Sequence, residues 1–347
     1  MEKVRIGVVG VGRGSSMMRF CQQSEKAKLV AVCDSWEEGL RRKKEELQDD
    51  SIGYYTSFEK FLEHGLDAVV LANYATEHAP FAIACLERGI HVLSEVLPVQ
   101  NMKEAVELIE AAEKSKAIYA YAENYCFMPA PREMRRLYRE FEYGEGEYLH
   151  NCESIWPRIT HGEKSHWRNN MYANFYCTHS IGPLLHITGL RPVKVTGFEL
   201  PYNARMARCG AKAGHTGIEM ITLENGAVVK SVHGVGIARN SIWYAIYGSK
   251  GRMESAREDA KNGDTGRVYV GCDAYEGENG EELESYEPVD SLSEKAKAFG
   301  HGSSDYYTVW NFVEKILGNK EADVIGAYEA LDMFLPGLFA YRSVRQG

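Results

Sequence analysis

Residues Val4 to Ser15, VRIGVVGVGRGS, constrain the fold more than any other stretch of the chain. The β-branched run Val4, Ile6, Val8 and Val9 predicts a short buried strand. It breaks into Gly10-Val11-Gly12-Arg13-Gly14-Ser15, and Ser16 to Gln22 follows as a helix-like segment. A strand feeding a glycine-rich turn that opens a helix is built to seat a pyrophosphate. Gly10 permits the tight turn, Gly12 lets the backbone come close, and the helix N-terminus offers unpaired N–H groups and partial positive charge. The third position of the pattern falls on Ser15, where glycine or alanine is usual. Asp34 ends the next apolar run, Leu29 to Cys33. An acidic side chain about 20 residues past the glycines binds a ribose 2′-OH and repels a 2′-phosphate. The pattern predicts NAD rather than NADP, the alternative being a glycine turn with no ligand. Gly10, Gly12, Arg13, Gly14 and Asp34 are the first cofactor candidates.

Strand and helix signals alternate from there to residue 123. Leu29 to Cys33, Tyr54-Tyr55, Asp67 to Ala72, Ile90 to Leu93 and Ile118 to Ala122 are expected strands. Glu37 to Gln48, Phe58 to Glu63, a segment with Pro80 in its first turn and Gly89 at its stop, and the run behind Asn101 are expected helices. Asn101 and Glu104 have capping-box spacing. Residues 1–123 therefore read as one doubly wound α/β domain with a parallel sheet. Its loops at the carboxyl ends of strands carry Asn73, His78, Glu95, Glu123 and Asn124, where ligands bind in such sheets. Asn73, His78, Glu95 and Asn124 are cofactor candidates; His78 is alternatively a helix cap and Glu95 a helix-entry charge.

Residues 124–347 read as a second, α+β domain. Pro131 to Tyr143 is expected as a helix with Met134, Leu137, Tyr138 and Phe141 on one side, and Gly146 to Ile155 as extended chain. Asn174 to Thr188 is an unusually apolar helix carrying Tyr176, His179 and His186. Val193 to Leu200, Gly217 to Leu223, Ala227 to Gly234 and Ile242 to Gly248 are successive strands, with a hairpin signal at Asn225-Gly226. They predict a large, mostly antiparallel open sheet with helices on one side. The acidic, glycine-containing stretch from Ala256 to Ser291 reads as a surface excursion, and Asp305 to Leu317 and Gly326 to Ser343 as closing helices.

Bulk properties narrow the function. At 347 residues the chain has room for two domains, and a net charge of −9 argues against nucleic acid or an anionic membrane as main partner. No run of about 18 apolar residues is present, so no transmembrane helix is expected. The first strand starts at Val4, so no leader is expected either. Eight scattered cysteines without a CxxC pair predict reduced thiols and a cytoplasmic location.

The order of these features resembles the Gfo/Idh/MocA oxidoreductase family over nearly the whole chain. The residues that carry the resemblance are Gly10-Val11-Gly12, Asp34, Ala75-Thr76-Glu77-His78, Gly89-Ile90-His91-Val92-Leu93, Glu95…Pro98, Trp167-Arg168, the helix ending at Gly189, and Tyr247-Gly248-Ser249-Lys250-Gly251. It implies an N-terminal Rossmann domain for NAD(P) and a C-terminal open sheet. The inner face of that sheet would hold substrate and its outer face would serve association into a homodimer or homotetramer. Two departures stand out. Family dehydrogenases have Glu-Lys-Pro where this chain reads Glu95-Val96-Leu97-Pro98, and an Asp-x-x-x-His where it reads Phe175-Tyr176-Cys177-Thr178-His179. Tyr176-Cys177-Thr178-His179-Ser180-Ile181-Gly182-Pro183 is similar to the Tyr-x-Thr-His-x-x-Gly-Pro stretch of the NAD-dependent glycoside hydrolases on this fold, the α-N-acetylgalactosaminidase group. That group also has Glu-Val-Pro, although the additional Leu97 is not part of its pattern.

What that resemblance implies is a sugar-processing redox enzyme. A sugar hydroxyl at C3 is transiently oxidised, the C2 proton is removed, the C1 substituent leaves, water adds and the ketone is reduced again. The alternatives are a plain NAD-dependent sugar or cyclitol dehydrogenase and a non-catalytic NAD or sugar sensor. His179 is the candidate base, because a histidine side chain ordinarily titrates near 6.5 and accepts a proton at neutral pH; a locally bonded core histidine is the alternative. Tyr176, three residues earlier, is a candidate to hold a substrate oxygen or donate a proton, or else packs in the core. Glu123, Tyr148, His150, Lys164, Trp167 and Arg168 are candidates for a small carbohydrate or glycoside. Tyr148 and His150 share a strand face, and Trp167 lies in a loop suited to a lid. His150, Glu153, His179 and His215 match no metal-ligand spacing, and no metal is expected.

Overall fold

The computed structural model describes residues 3–138, 141–150, 172–202, 204, 216–235, 241–249, 251–257, 266–272 and 282–346. They form two compact units, Met1–Glu123 with Asp305–Leu331, and Asn124–Ser304 with Asp332–Gly347. Strand–helix alternation up to residue 123 does not signal the return of Asp305–Leu331 to the first unit.

The first unit is built on a six-stranded sheet in the order β3-β2-β1-β4-β5-β6. Its strands are β1 (Val4–Val9), β2 (Ala27–Cys33), β3 (Gly53–Tyr55), β4 (Ala68–Leu71), β5 (His91–Ser94) and β6 (Tyr119–Tyr121). Every pairing is parallel. Helices α1 (Ser15–Gln23), α2 (Glu37–Leu47), α3 (Phe58–Leu62), α4 (His78–Glu87) and α5 (Met102–Lys114) make the crossovers. A parallel sheet covered on both faces needs strands that are apolar throughout, and Ala68, Val69, Val70 and Leu71 are all fully buried. Strand order reverses direction between β1 and β4, which places the open crevice of the sheet at Gly10 and Asn73. Asn101 caps α5 as its spacing predicts: its side chain accepts the Glu104 N–H at 3.0 Å. The Glu104 carboxylate reaches one residue further back than in the usual box, to the Gln100 N–H at 2.7 Å.

Strand β5 begins with a titratable residue whose state matters for stability. His91 Nδ1 accepts the Ile118 N–H at 2.9 Å. Burial pushes the imidazole below its ordinary value, against the pull of Asp67. Protonation therefore favours the unfolded chain, so His91's contribution is complete above the unfolded value of about 6.5 and is lost as pH falls through the lower folded value. Urea midpoints are expected to drop between about pH 7 and pH 5, and to drop less in His91→Asn, whose side-chain oxygen can still accept from Ile118.

The second unit carries an eight-stranded sheet in the order β14-β13-β12-β11-β7-β10-β9-β8. These strands are β7 (Tyr143–His150), β8 (Pro192–Glu199), β9 (Thr216–Leu223), β10 (Val228–Val235), β11 (Ser241–Gly248), β12 (Gly251–Ser255), β13 (Val268–Cys272) and β14 (Glu282–Tyr286). All pairings are antiparallel except β7 with β10. The hairpin at Asn225-Gly226 forms, with Gly226 at φ 88°. Helices α6 (Pro129–Leu137), α7 (Thr178–Thr188), α8 (Ser293–Ala296), α9 (Ser304–Ile316) and α10 (Ala327–Gln346) complete the described helices.

Three expectations are corrected here. The helix expected to reach Tyr143 stops at Leu137, and Tyr138 turns extended at ψ 134°. Phe141 is consequently not on its face; its ring fills the space above Gly144 of β7, where a Cβ would come within 2.8 Å of it. The apolar helix expected from Asn174 starts as a 3₁₀ turn, Ala173–Tyr176, and is α-helical only from Thr178. Residues 256–291 are not merely an excursion: β13 and β14 within them extend the sheet edge.

Candidate functional site

In the first unit the glycine turn is shaped by contacts that leave no room for side chains. Gly10 has φ 97°, and a Cβ there would lie 2.4 Å from the Ala72 carbonyl oxygen, so this glycine lets the loops after β1 and β4 touch. A Cβ on Gly14 would lie 2.2 Å from the Gly10 carbonyl oxygen and 2.6 Å from Val8. Gly14 therefore does the close helix–strand packing that the sequence pattern puts at Ser15; the Ser15 hydroxyl instead donates to the Val11 carbonyl at 2.8 Å. A Cβ on Gly12 would meet nothing within 4 Å. That face of the turn is open to a close-approaching group.

The polar groups around the turn fit a dinucleotide. Asp34 accepts the Val11 N–H at 2.8 Å and the Trp36 N–H at 2.9 Å, one on each oxygen. Each oxygen keeps a further acceptor position for a ribose hydroxyl. Asn73, after β4, donates from Nδ2 to Glu77 at 2.8 Å. Its Oδ1 is buried with no hydrogen-bond partner among the described residues. Such an atom is costly to leave bare and suits a ligand N–H or O–H. Arg13 extends from the turn to Asp305, with which it forms two bonds at 2.7 and 2.8 Å, and to Glu95 at 2.8 Å. Burial works against the Arg13 charge, but Glu95 and Asp305 outweigh it and hold the guanidinium well above its ordinary range. His78 is fully buried, and its Nδ1 donates to the Leu97 carbonyl at 2.9 Å. It thus braces the Glu95–Pro98 loop. Glu123 is fully buried just beyond β6.

The second unit brings His179, Tyr176 and Tyr148 together. His179 is 4% exposed near the start of α7, and its Nε2 lies 3.3 Å from the Tyr176 hydroxyl. Ring centroids of Tyr148 and Tyr176 lie 4.6 and 5.0 Å from the His179 ring. Tyr125, which the sequence reading did not single out, completes the surround at 4.5 Å. It follows Asn124, which opens the 3₁₀ turn Asn124–Phe127, and its place just past a strand end was the available signal. The backbone of His179 is also pinned. Pro183 lies four residues on and has no N–H, so the His179 carbonyl lacks its helical donor. The Tyr244 hydroxyl of β11 donates to that carbonyl at 2.6 Å.

Helix α7 sits directly on the sheet. A Cβ on Gly146 of β7 would lie 1.8 Å from the Ser180 carbonyl oxygen, and Ser180 Oγ bonds Ser231 Oγ of β10 at 2.7 Å. On the same sheet face His233 pairs in register with Tyr148, and its Nε2 bonds Glu219 at 2.8 Å with both side chains fully buried. The spacing of motifs gave no sign of this pair, because Glu219 and His233 meet only through the β9–β10 register. His150 ends β7, but its side chain lies outside the described residues, as do Lys164, Trp167 and Arg168. Among the described residues no group of three His, Cys, Asp or Glu side chains is placed to hold a metal. No described helix is long and apolar enough to cross a membrane.

Comparison with known proteins follows the same division. Residues 4–123 match the GFO_IDH_MocA family, described as an oxidoreductase family with an NAD-binding Rossmann fold. A glycosyl hydrolase family 109 protein from Phocaeicola vulgatus is 26% identical over 280 residues, covering 72% of this chain and 59% of that protein. An alpha-N-acetylgalactosaminidase from Shewanella oneidensis is 28% identical over 202 residues, covering 53% of this chain and 44% of that protein. The chain thus spans about half the length of the curated relatives it matches. An inositol dehydrogenase homologue from Azotobacter vinelandii, complexed with NADH and myo-inositol, shares the fold with a TM-score of 0.79 at 16% identity, covering 100% of this chain and 96% of that one. Residues 4–123 thus match an NAD-binding Rossmann domain of the Gfo/Idh/MocA oxidoreductase type, on a chain similar in sequence to glycosyl hydrolase family 109 proteins.

Proposed function

We propose that this chain is an NAD-dependent sugar-processing enzyme that cleaves a glycoside by transient oxidation and re-reduction of the sugar. The observation that carries the reading is the Tyr176–His179 pair, 3.3 Å apart and walled by Tyr125 and Tyr148, in a chain with no lysine between Glu95 and Pro98. The similarity to proteins named for family 109 and for alpha-N-acetylgalactosaminidase supports it. NAD, when bound, supplies reversible hydride acceptance at a sugar carbon. Gly10, Gly12, Gly14 and Asp34 would hold it, with Asn73 and Glu95 toward its other polar groups. His179 is the proton acceptor for a C–H beside a sugar carbonyl, and Tyr176 holds an oxygen of the sugar or returns a proton to it. Tyr148, with its ring against His179, presents an apolar wall to the sugar ring. Glu123, Asn124, His150, Lys164, Trp167 and Arg168 are further contacts in this reading.

The reading includes a reduced, cytoplasmic setting and a homodimer or homotetramer. Five buried free cysteines, Cys21, Cys33, Cys85, Cys126 and Cys177, support the first. Exposed Phe198 and Met220, on the sheet face away from α7, support the second.

The test follows two signals in one cuvette. Purified protein is assayed for bound NAD and given p-nitrophenyl glycosides, including the α-N-acetylgalactosaminide, in deuterated buffer. Nitrophenol release without net NADH, with deuterium retained at C2 of the product sugar, is the expected result. Stoichiometric NADH from free sugars with no glycoside cleavage would instead establish a dehydrogenase, and NAD binding with neither activity a sensor.

A further inference from the structure

We propose that Asp305 is a positioning residue for the dinucleotide, acting through Arg13 on both the glycine turn and Glu95. The inference rests on the reading that this turn and Glu95 face NAD. Arg13 follows Gly12 directly, so its side chain is a handle on the part of the turn whose backbone is open. That handle is held by a carboxylate almost 300 residues away. Asp305 is 2% exposed and accepts two guanidinium bonds at 2.7 and 2.8 Å, in the fork geometry that fixes orientation as well as distance. Its Oδ2 also accepts the Ser16 hydroxyl at 2.8 Å, which ties the first turn of α1 to the same carboxylate.

The platform under Asp305 is itself anchored. Helix α9 is fixed to the first unit by the Lys26–Glu314 ion pair at 2.5 Å and by Phe20 against Tyr306, ring centroids 5.3 Å apart. Downstream, the Tyr121 N–H donates to the Ile325 carbonyl at 2.8 Å. At the other end of the relay, Arg13 gives Glu95 a counter-charge at 2.8 Å. Glu95 is 6% exposed, and the residues after it are Val96 and Leu97, which offer no cation. Arg13 is the cation beside this buried carboxylate, and the contact fixes where Glu95 points. With Asp305 and Glu95 both on it, Arg13 is not a spare cation waiting for phosphate. Its work is to hold two other elements in register.

Positioning and simple charge effects predict opposite signs. Asp305→Asn removes a negative charge near a doubly anionic pyrophosphate, so Coulomb repulsion alone predicts tighter NAD binding. If Asp305 instead preorganises the turn, the same change weakens binding, by roughly tenfold to a hundredfold for loss of charge-assisted bonds. The experiment is calorimetric titration of NAD into the full-length protein and into Asp305→Asn, Asp305→Glu, Arg13→Gln and the Arg13→Gln/Asp305→Asn double variant. Melting temperatures are recorded in parallel. Expected are weaker binding in Asp305→Asn, partial recovery in Asp305→Glu, and a double variant much less weakened than the two single losses combined, since Asp305 acts mainly through Arg13 and otherwise holds only the Ser16 hydroxyl. Should a variant melt before titration, the Asp305→Glu and wild-type comparison still reads the geometry, because the charge is unchanged. Unchanged or tighter binding in a folded Asp305→Asn protein overturns the proposal. A wild-type protein that binds no NAD brings down the parent reading instead, which the same titration shows separately.

Discussion

If the chain cleaves glycosides as proposed, replacing His179 with alanine is expected to lower turnover by about a thousandfold, the usual scale for loss of a positioned acid–base group. In free-energy terms that is about 4 kcal/mol of transition-state stabilisation. NAD affinity is expected to stay within about twofold, because every residue assigned to the dinucleotide turn belongs to the other unit of the chain. Tyr176→Phe is expected to fall between, at about ten- to a hundredfold: it keeps the ring that packs on His179 at 5.0 Å and removes only the hydroxyl 3.3 Å from Nε2. The measurement is kcat on a p-nitrophenyl glycoside with NAD binding followed separately. A His179→Ala protein with wild-type turnover would remove the histidine from the mechanism altogether. The contrast between the two variants also tests the mechanism's division of labour. A base cannot be replaced by its neighbour, whereas a hydroxyl that orients is partly replaced by water.

How much of this was legible in the sequence depends on whether the governing contact is local. The strand Ala68–Leu71 and the cap at Asn101 were readable because burial on both faces and a three-residue cap leave their marks within a few positions. The pairing of Tyr176 with His179 was readable for the same reason, although the chain reaches it through a 3₁₀ turn rather than a continuous helix. Strands β13 and β14 were not. Each is only five residues long and set in an acidic, glycine-containing stretch, too short a run to stand out against such a background. The helix boundary at Leu137 was missed because Phe141 continues the helical period while packing instead above Gly144. Here tertiary packing overrides local pattern.

The candidate site divides in the same way. Asp34 and the glycines announce themselves by spacing, yet the close-packing glycine is Gly14 and not the position the motif would choose. Asp305 is separated from Arg13 by 292 residues, and Glu219 from His233 by a strand register, so no periodicity within either segment points to its partner. A long-range ion pair is selected by the fold and not by its neighbours in sequence. Tyr244 is a further instance. Pro183 in the helix advertises an orphaned carbonyl at His179, but which side chain supplies the missing donor is decided by the sheet.

Gly146→Ala is expected to be the most damaging single-methyl change in the second unit. The added Cβ would sit 1.8 Å from the Ser180 carbonyl oxygen, a backbone atom of α7 that cannot turn aside. Relieving that overlap moves the helix off β7 by more than an ångström, and cores resist such shifts at about 1–3 kcal/mol or more. The helix start is what carries His179, and the Tyr244 and Ser231 bonds that fix it are only 2.6 and 2.7 Å long, so both stretch together. The expected result is a melting temperature lowered by several degrees, about what a loss of this size produces, together with glycosidase activity reduced well beyond the stability loss. Gly144→Ala is the matched control on the same strand and face. Its Cβ would meet the ring of Phe141 at 2.8 Å, a side chain that can rotate away, so a milder loss of stability and little loss of activity are expected. Equal effects from the two substitutions would show that the approach of α7 to β7 does not set the geometry of His179, and the account of the site given by Pro183 and Tyr244 would fall with it.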